Sequence, residues 1–553
     1  MTSVVQRSAL AADEGEDDDA VAAPPFVGRA FRRQHLVYLS LITLLAAFLR
    51  LYRLEQWSIW VDEAHTWRDV SSPIGSFFDS ERSWYPLSFL MLRWLADVGA
   101  LPQFSEGWLR LPFACCGIVS VPLLAVLGNA LVGRRAALLA ALFLAVNPWH
   151  IYFSQNARGY VMVFFCATIA AGLFWLGLQR GSRGLRVAGV AAAAVGGACH
   201  LTGLSLLPMF VVYPLLGHLR GRGAWRWVIV LGAAGLLVPL LFWLLPPLHM
   251  FQRAKSDVSL THLLVTAAFF FRLPLLCAAA TGFWLSFRTH SRGRVLFLAC
   301  WLAVPLFGVG VIGSTMVKVT ARYAFCALPA VMLLAGAASV RLAETLVAGL
   351  GRGTLRSRLV PAAVLPAILC LDMMVYDYGY FTTQYGDRAR WRAASSWISE
   401  HAAGQSFVVY SVNEPSMLYY LRPLHYAEAQ PTRPDADPYP GCRIAAMTSW
   451  EIARGWSQMV GYEDGPPVAP GEKPQPPPGC APGAEGWLHS IQANATRMHR
   501  ALFFVATLPE LAEMDPGGRL LAAFQRECEL QRVLPCWVGP KDETIYVFTW
   551  PRR

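Results

Sequence analysis

Apolar runs long enough to cross a bilayer recur from Leu36 to about Tyr378 and then stop. A helix needs about 20 apolar residues to span the hydrocarbon core, and on that measure the pattern predicts about eleven spans. The first covers Leu36–Leu54. The second, about Trp108 to Val132, meets the third, Ala136 to about Tyr152, at Arg134-Arg135. The fourth starts near Tyr160 and leads to Arg180, Arg183 and Arg186. Spans five and six form a tight pair across about Val187 to Leu219, turning near His200 to Leu204. The seventh ends at Pro246-Pro247, the eighth leads to Arg288, Arg292 and Arg294, and the ninth ends near Gly313. The tenth runs from Tyr323 toward Arg352, Arg356 and Arg358, and the last covers about Leu359 to Tyr378. Thr261–Arg272 and Trp84–Leu95 leave the count open by about two. Trp84–Leu95, with Pro86 near its start and Arg93 inside it, reads as an amphipathic helix lying along the interface.

Polar positions orient this pattern. Each strongly basic loop falls on one side, which is the cytoplasmic side by the positive-inside rule. The acid-rich segment from Glu55 to Gly107 and the chain after Tyr378 then lie outside. The N-terminal stretch has an acidic cluster, Asp13 to Asp19, then Pro24-Pro25 and Arg29, Arg32 and Arg33, with no small-residue cleavage site after the apolar run. It reads as a disordered cytoplasmic tail (1–33) rather than a signal peptide. The membrane domain covers 34–378 and an extracytoplasmic α/β domain 379–553. In that second domain Phe407–Ser411, Ala501–Ala506 and Thr544–Thr549 read as strands. Trp391–His401, Pro415–Leu421 and Pro509–Met514 read as helices, and Gly465–Pro482 as a proline-rich loop.

Composition agrees. The chain has 553 residues, 55% hydrophobic and 15% charged, with mean hydropathy +0.39. A soluble protein carries nearer a quarter charged residues, about 25%. The net charge of +11 sits in short loops between apolar runs, which argues against a nucleic-acid partner. Four of the twelve cysteines, Cys442, Cys480, Cys528 and Cys536, lie in the outer domain. In an oxidising compartment they predict at least one disulfide, most simply Cys528–Cys536, with connectivity open. Asn494-Ala495-Thr496 matches a glycosylation sequon.

Candidate chemistry gathers at the outer face. Asp62 and Glu63 follow the first span, framed by Trp57, Trp60 and Trp67, at the level where amphipathic aromatic rings settle. Carboxylates held half out of water suit general-base work. Arg50, Arg53, Arg158, Arg253, Lys255, Arg272, Lys318 and Arg322 stand on the same side, where basic residues are disfavoured. Single ones snorkel to lipid phosphates; a cluster of them, with acids nearby, suits a lipid phosphate leaving group. The turn Asn147 to Tyr160 adds Gln155, Asn156, Arg158 and Tyr160 as hydrogen-bonding groups. His150 and His200, taken singly, read as packed interface residues.

Residues from about 49 to 345 resemble the lipid-dependent GT-C glycosyltransferases of the protein-O-mannosyltransferase and aminoarabinose-transferase-like group. The matching pieces are Leu49-Arg50-Leu51-Tyr52-Arg53-Leu54, Trp60-Val61-Asp62-Glu63-Ala64, Trp108-Leu109-Arg110-Leu111-Pro112, Gly133-Arg134-Arg135-Ala136-Ala137, the turn Ser154 to Tyr160, Ala321-Arg322-Tyr323 and Leu328-Pro329. Trp391-Arg392 before a helix and a Val-rich strand is similar to the start of the outer domain in that group. The resemblance implies a mostly α, polytopic GT-C fold with a small C-terminal α/β domain in the inner membrane. It implies transfer of a sugar from a polyprenyl-phosphate donor to an extracytoplasmic acceptor, with inversion. Asp62 would be the base, supported by Glu63. Arg158, Arg322, Arg53, Arg272 and Lys318 would hold the donor phosphate, and His65, Tyr85, Gln155, Asn156 and Tyr160 would line the substrate. Trp84-Tyr85-Pro86-Leu87 departs from a common His or Lys before Pro-Pro-Leu, and Asn156 stands where an acid is common. Both remove ligands for a divalent cation (Mg or Mn), which prefers several carboxylates. The rival readings are a lipid-sugar flippase, which calls for charges near mid-bilayer and inverted repeats, and a non-catalytic sensor or scaffold binding envelope glycans.

Overall fold

The computed structural model describes residues 31–78, 81–99, 105–218, 267–289, 292–316, 321–349, 355–402, 405–427, 442–457, 481–538 and 541–550. The expected tail up to residue 30, span seven, Lys318, Cys480 and most of the proline-rich stretch lie outside these residues.

Among the described residues five helices are long and apolar enough to cross a membrane: Arg33–Leu51, Glu106–Val132, Tyr160–Gln179, Arg322–Val347 and Ala363–Thr382. In chain order the membrane-side helices are α1 (Arg33–Leu51), α2 (Val61–Ser71), α3 (Leu87–Asp97), α4 (Glu106–Val132), α5 (Arg134–Ala145), α6 (Pro148–Ser154), α7 (Tyr160–Gln179), α8 (Arg183–Cys199), α9 (Met209–His218), α10 (Leu273–Thr289), α11 (Arg292–Met316), α12 (Leu328–Gly349) and α13 (Leu355–Thr382). The expected third span is broken. α5 and α6 meet at 60°, because Asn147 caps α6 by accepting from the His150 amide and Pro148 takes its first position. The break turns α6 under the outer loop and delivers residues 155–159 to the site. The turn expected near His200 to Leu204 is a 3₁₀ turn at Leu201–Leu206, but the tight pair is not formed: α8 packs on α7, and α9 packs on α11.

Small residues let these helices approach closely. A Cβ at Gly282 on α10 would lie 1.9 Å from the Leu334 carbonyl oxygen of α12, and one at Gly336 on α12 would lie 2.2 Å from the Ala136 oxygen of α5. α3 buries Phe89 and Leu92 and exposes Leu87 and Trp94, the two-sided character expected of Trp84–Leu95. The segment after the first span, expected as a loop, folds as α2. This places Asp62 and Glu63 in a helix's first turn, where the positive end of the dipole favours acids.

The second region begins where α13 ends; that helix runs on to Thr382 rather than stopping at Tyr378. Its sheet has the order β2-β1-β3-β7-β4, with β1 (Phe407–Ser411), β2 (Cys442–Ala446), β3 (Ala501–Thr507), β4 (Glu529–Leu534) and β7 (Ile545–Trp550). β5 (Trp537–Val538) and β6 (Lys541–Asp542) pair separately. β1 is parallel to β2 and β3, and β7 is antiparallel to β3 and β4. Alternate side chains of β1 serve two cores. Phe407 and Val409 face Trp391, Ile398 and Met417 of α14 (Trp391–His401) and α15 (Glu414–Ala427). Val408 and Tyr410 face Trp487 and Phe524 of α16 (Ala484–Arg497) and α17 (Arg519–Glu527).

The expected Cys528–Cys536 disulfide is corrected here: Cys528 and Cys536 are free thiols. Cys528 belongs to the Trp487 core and Cys442 to the Trp391 core, so the sheet separates them. Cys536 instead donates to the Arg388 carbonyl at 2.9 Å. Asn494 of the sequon is buried within α16, where an extended, accessible acceptor conformation is excluded.

Candidate active site

Glu63 is the third residue of α2 and reaches back to the Trp60 amide at 3.0 Å, half of a capping box. Its other partners come from distant segments. Arg110 of α4 donates through Nε to Oε1 and through Nη2 to Oε2, both at 2.8 Å, and the Ala157 amide donates to Oε1 at 2.9 Å. A carboxylate has about four lone-pair positions, so these four donors fill it. Arg388 lies 3.5 Å from Oε2, and Glu63, Arg110 and Arg388 are all buried. Burial alone would raise the Glu63 pKa; Arg110, Arg388 and the amide donors outweigh it and hold the group at about 2. Arg110 also binds the carbonyls of Leu54, Trp57 and Ser58. Glu63 therefore ties α2, α4, the 155–159 turn and the segment before α14 together, with no position left for substrate.

Adjacent residues on a helix point apart, and Asp62 faces the other way. Its side chain is 29% exposed and its Oδ2 lies 3.8 Å from Nη2 of Arg158, which is 11% exposed. Arg158 also reaches Thr66 Oγ1 at 3.5 Å. Burial opposes the Arg158 charge, but Asp62 with Tyr85 and Tyr160 more than offsets this and keeps it protonated. Arg322 lies over the rings of Trp60 and Tyr323, 5.8 and 5.3 Å from their centroids. Tyr85 and Tyr160 flank His200 at 5.3 and 4.4 Å, and Tyr160 lies 6.5 Å from Tyr323. The result is an aromatic-walled cluster with two guanidiniums and one carboxylate. The Nε atoms of both Arg158 and Arg322 are buried without a hydrogen-bond partner. An anion with several acceptor oxygens fits that excess of charge and donors.

The other expected residues are dispersed. His65 sits one turn along α2, against Arg68 Nη2 at 3.1 Å. Gln155 is a tie: its Oε1 accepts from Tyr380 Oη at 2.8 Å and its Nε2 donates to the Arg50 and Tyr52 carbonyls. Arg272 is neutralised by Asp372 at 2.7 and 3.0 Å. Arg53 donates to the Phe381 carbonyl and lies over Tyr52 and Trp57. Asn156 is buried with both side-chain polar atoms unpartnered. Sequence reasoning passed over His200, Trp60 and Tyr323 as site residues and missed Arg110 and Arg388 as anchors. Tyr323 and Arg110 lay inside quoted motifs; Arg388 carried no signal. With Glu63 saturated and Asn156 uncharged, Asp62 is the one free carboxylate of the cluster among the described residues, and no three His, Cys, Asp or Glu side chains there come together. This donor set does not fit a hard divalent cation.

A bundle of apolar helices bearing this cluster, followed by a small α/β domain, makes this an integral membrane protein, and its likeness to the solved structures that follow gives it the GT-C fold. No protein-family model matches the chain, and no curated protein matches it. Among solved structures it is similar to ArnT from Cupriavidus metallidurans, both in the apo state and bound to undecaprenyl phosphate. Each superposes with a TM-score of 0.52 at 15% identity, covering 93% of this chain and 97% of that one. The Archaeoglobus fulgidus oligosaccharyltransferase tethered with an acceptor peptide containing the NVT sequon is similar at TM-score 0.50 and 12% identity, over 93% of this chain and 74% of that one.

Proposed function

We propose that the chain is a glycosyltransferase that moves a sugar from a polyprenyl-phosphate donor to an acceptor hydroxyl on the extracytoplasmic side of the inner membrane. The acceptor is a cell-envelope glycan, lipid or protein. The observation that carries this reading is the half-open Asp62 beside two buried guanidiniums with spare donors. The likeness to a membrane protein whose structure holds undecaprenyl phosphate supports it. Asp62 accepts the acceptor's hydroxyl proton as that oxygen bonds to the anomeric carbon. The bond from that carbon to the phosphate oxygen breaks on the opposite face, which inverts the centre. The prenyl phosphate leaves with the electron pair, and Arg158 and Arg322 stabilise the charge that builds on it. Glu63 positions both parts through Arg110 and the Ala157 amide. No step runs through a metal.

The test is reconstitution of the full chain in proteoliposomes with a panel of undecaprenyl-phosphate sugars and an envelope extract, reading undecaprenyl phosphate release. Release with one sugar, together with weaker donor binding in Arg322→Ala, is the expected result. No release with any donor, or unchanged donor binding in that variant, overturns the reading.

A further inference from the structure

A second cleft, of about 670 Å³, opens where α1 ends and α4 begins, on the side of the bundle that carries the sheet domain. It shares no lining residue with the Asp62 cluster. Leu51, Trp108 and Leu111 supply an apolar wall, and Leu51 and Trp108 are exposed there. An exposed Trp at a span's end marks the headgroup level of a bilayer.

Charge makes this cleft more than a greasy surface. Arg392 on its rim is committed, bonded to Glu106 Oε1 at 2.6 and 3.2 Å and to the Glu55 carbonyl at 2.7 Å. Arg53 has no carboxylate partner among the described residues; its guanidinium is held by the Phe381 carbonyl and two aromatic rings. Its φ is +58°, a conformation that non-glycine residues adopt where the surroundings impose it, often at ligand clamps. Glu55, two residues on, carries a carboxylate that makes no ion pair among the described residues. The cleft thus holds one spare cation and one spare anion beside an apolar wall.

We infer that this cleft binds a zwitterionic aminophospholipid, the phosphate on Arg53, the primary ammonium on Glu55 and an acyl chain along Leu51, Trp108 and Leu111. The occupant is a lipid rather than a soluble phosphoester because the wall is apolar and lies at the bilayer edge. A phosphatidylglycerol satisfies Arg53 alone. A phosphatidylcholine satisfies both charges but has no ammonium hydrogen to donate to Glu55.

The experiment is native mass spectrometry of the full chain extracted from vesicles of equimolar phosphatidylethanolamine, phosphatidylglycerol and phosphatidylcholine. Wild-type protein retains phosphatidylethanolamine over phosphatidylcholine by about five-fold, the size of one net hydrogen bond. Glu55→Gln, a change at an unpaired side chain that leaves the fold alone, abolishes that preference, while Arg53→Gln lowers retention of all three lipids. Equal retention of the three by wild type, or a preference that survives Glu55→Gln, overturns the inference.

Discussion

Glu63 has four donors on two oxygens and no exposure. One residue earlier, Asp62 has a single ion-pair contact at 3.8 Å and a side chain 29% exposed. Both lie in the first turn of α2 and both face arginines. The difference is how far the carboxylate oxygens are used, since two guanidiniums stand beside each. Around Glu63 every lone pair is used, so its charge has become part of the frame. Around Asp62 one guanidinium approaches, at 3.8 Å, and both Arg158 and Arg322 keep an unpaired Nε. Chemistry needs the second condition and depends on the first, because the frame is what holds α2 against the 155–159 turn.

The widest gap between the two should appear in turnover. Asp62→Asn removes the proposed proton acceptor and should lower the rate by about 10²–10⁴-fold. It should shift unfolding by less than about 1 kcal/mol, as expected of a part-exposed ion pair. A steady-state rate near wild type would end the assignment of Asp62 as base. Glu63→Gln should do the reverse in kind. It leaves Arg110 buried without its counter-charge, a loss of about 3–5 kcal/mol, read as a lowered thermal midpoint in detergent. A midpoint unchanged by Glu63→Gln would show that the sealed cluster is not the frame.

Acid separates the sealed region further. The Glu63 pKa falls from 4.5 to about 2 on folding. The unfolded chain therefore binds more protons between those values, and stability is lost as pH falls through that window, by about 3 kcal/mol in total. Asp387, beside the same frame, has the opposite sign. Burial raises it to about 6 against the hydrogen bond from Tyr376 and the charge of Arg388. The folded state then binds the extra proton, and stability rises as pH falls from 7 toward 4. Stability measured against pH should peak between about 4 and 5, and Asp387→Asn should flatten the rise while leaving the acid loss. The smallest effect concerns the loop that brings Arg388 in. Gly386 has φ +68°, and a Cβ there would meet Trp57 at 2.6 Å. Gly386→Ala should cost about 1–3 kcal/mol, and chemical denaturation should show it without a change in donor binding.

Apolar length and the grouping of Arg residues were enough to read a membrane bundle followed by an α/β domain. Helix Trp391–His401, the helix read as Pro509–Met514 and strands β1, β3 and β7 were legible for the same reason: periodicity and residue type are local properties. β4 escaped because it is an edge strand with half its residues polar and with Leu530 and Val533 exposed, so its apolar positions do not alternate onto one buried face. The break between α5 and α6 was half legible, since Pro148 marked it while the 60° turn depends on the neighbours it packs against.

Motif and position brought Asp62, Arg158, Arg322, Tyr85 and Tyr160 into view from the sequence, and the fold places these five in one cluster. What the tertiary structure alone decided is which charges are spent. Nothing near Glu63 in sequence shows that Arg110, 47 residues on, would fill its oxygens, or that Asp372 would neutralise Arg272 across 100 residues. A side chain's type is local, but whether its charge is already answered depends on partners that only folding brings within about 3 Å.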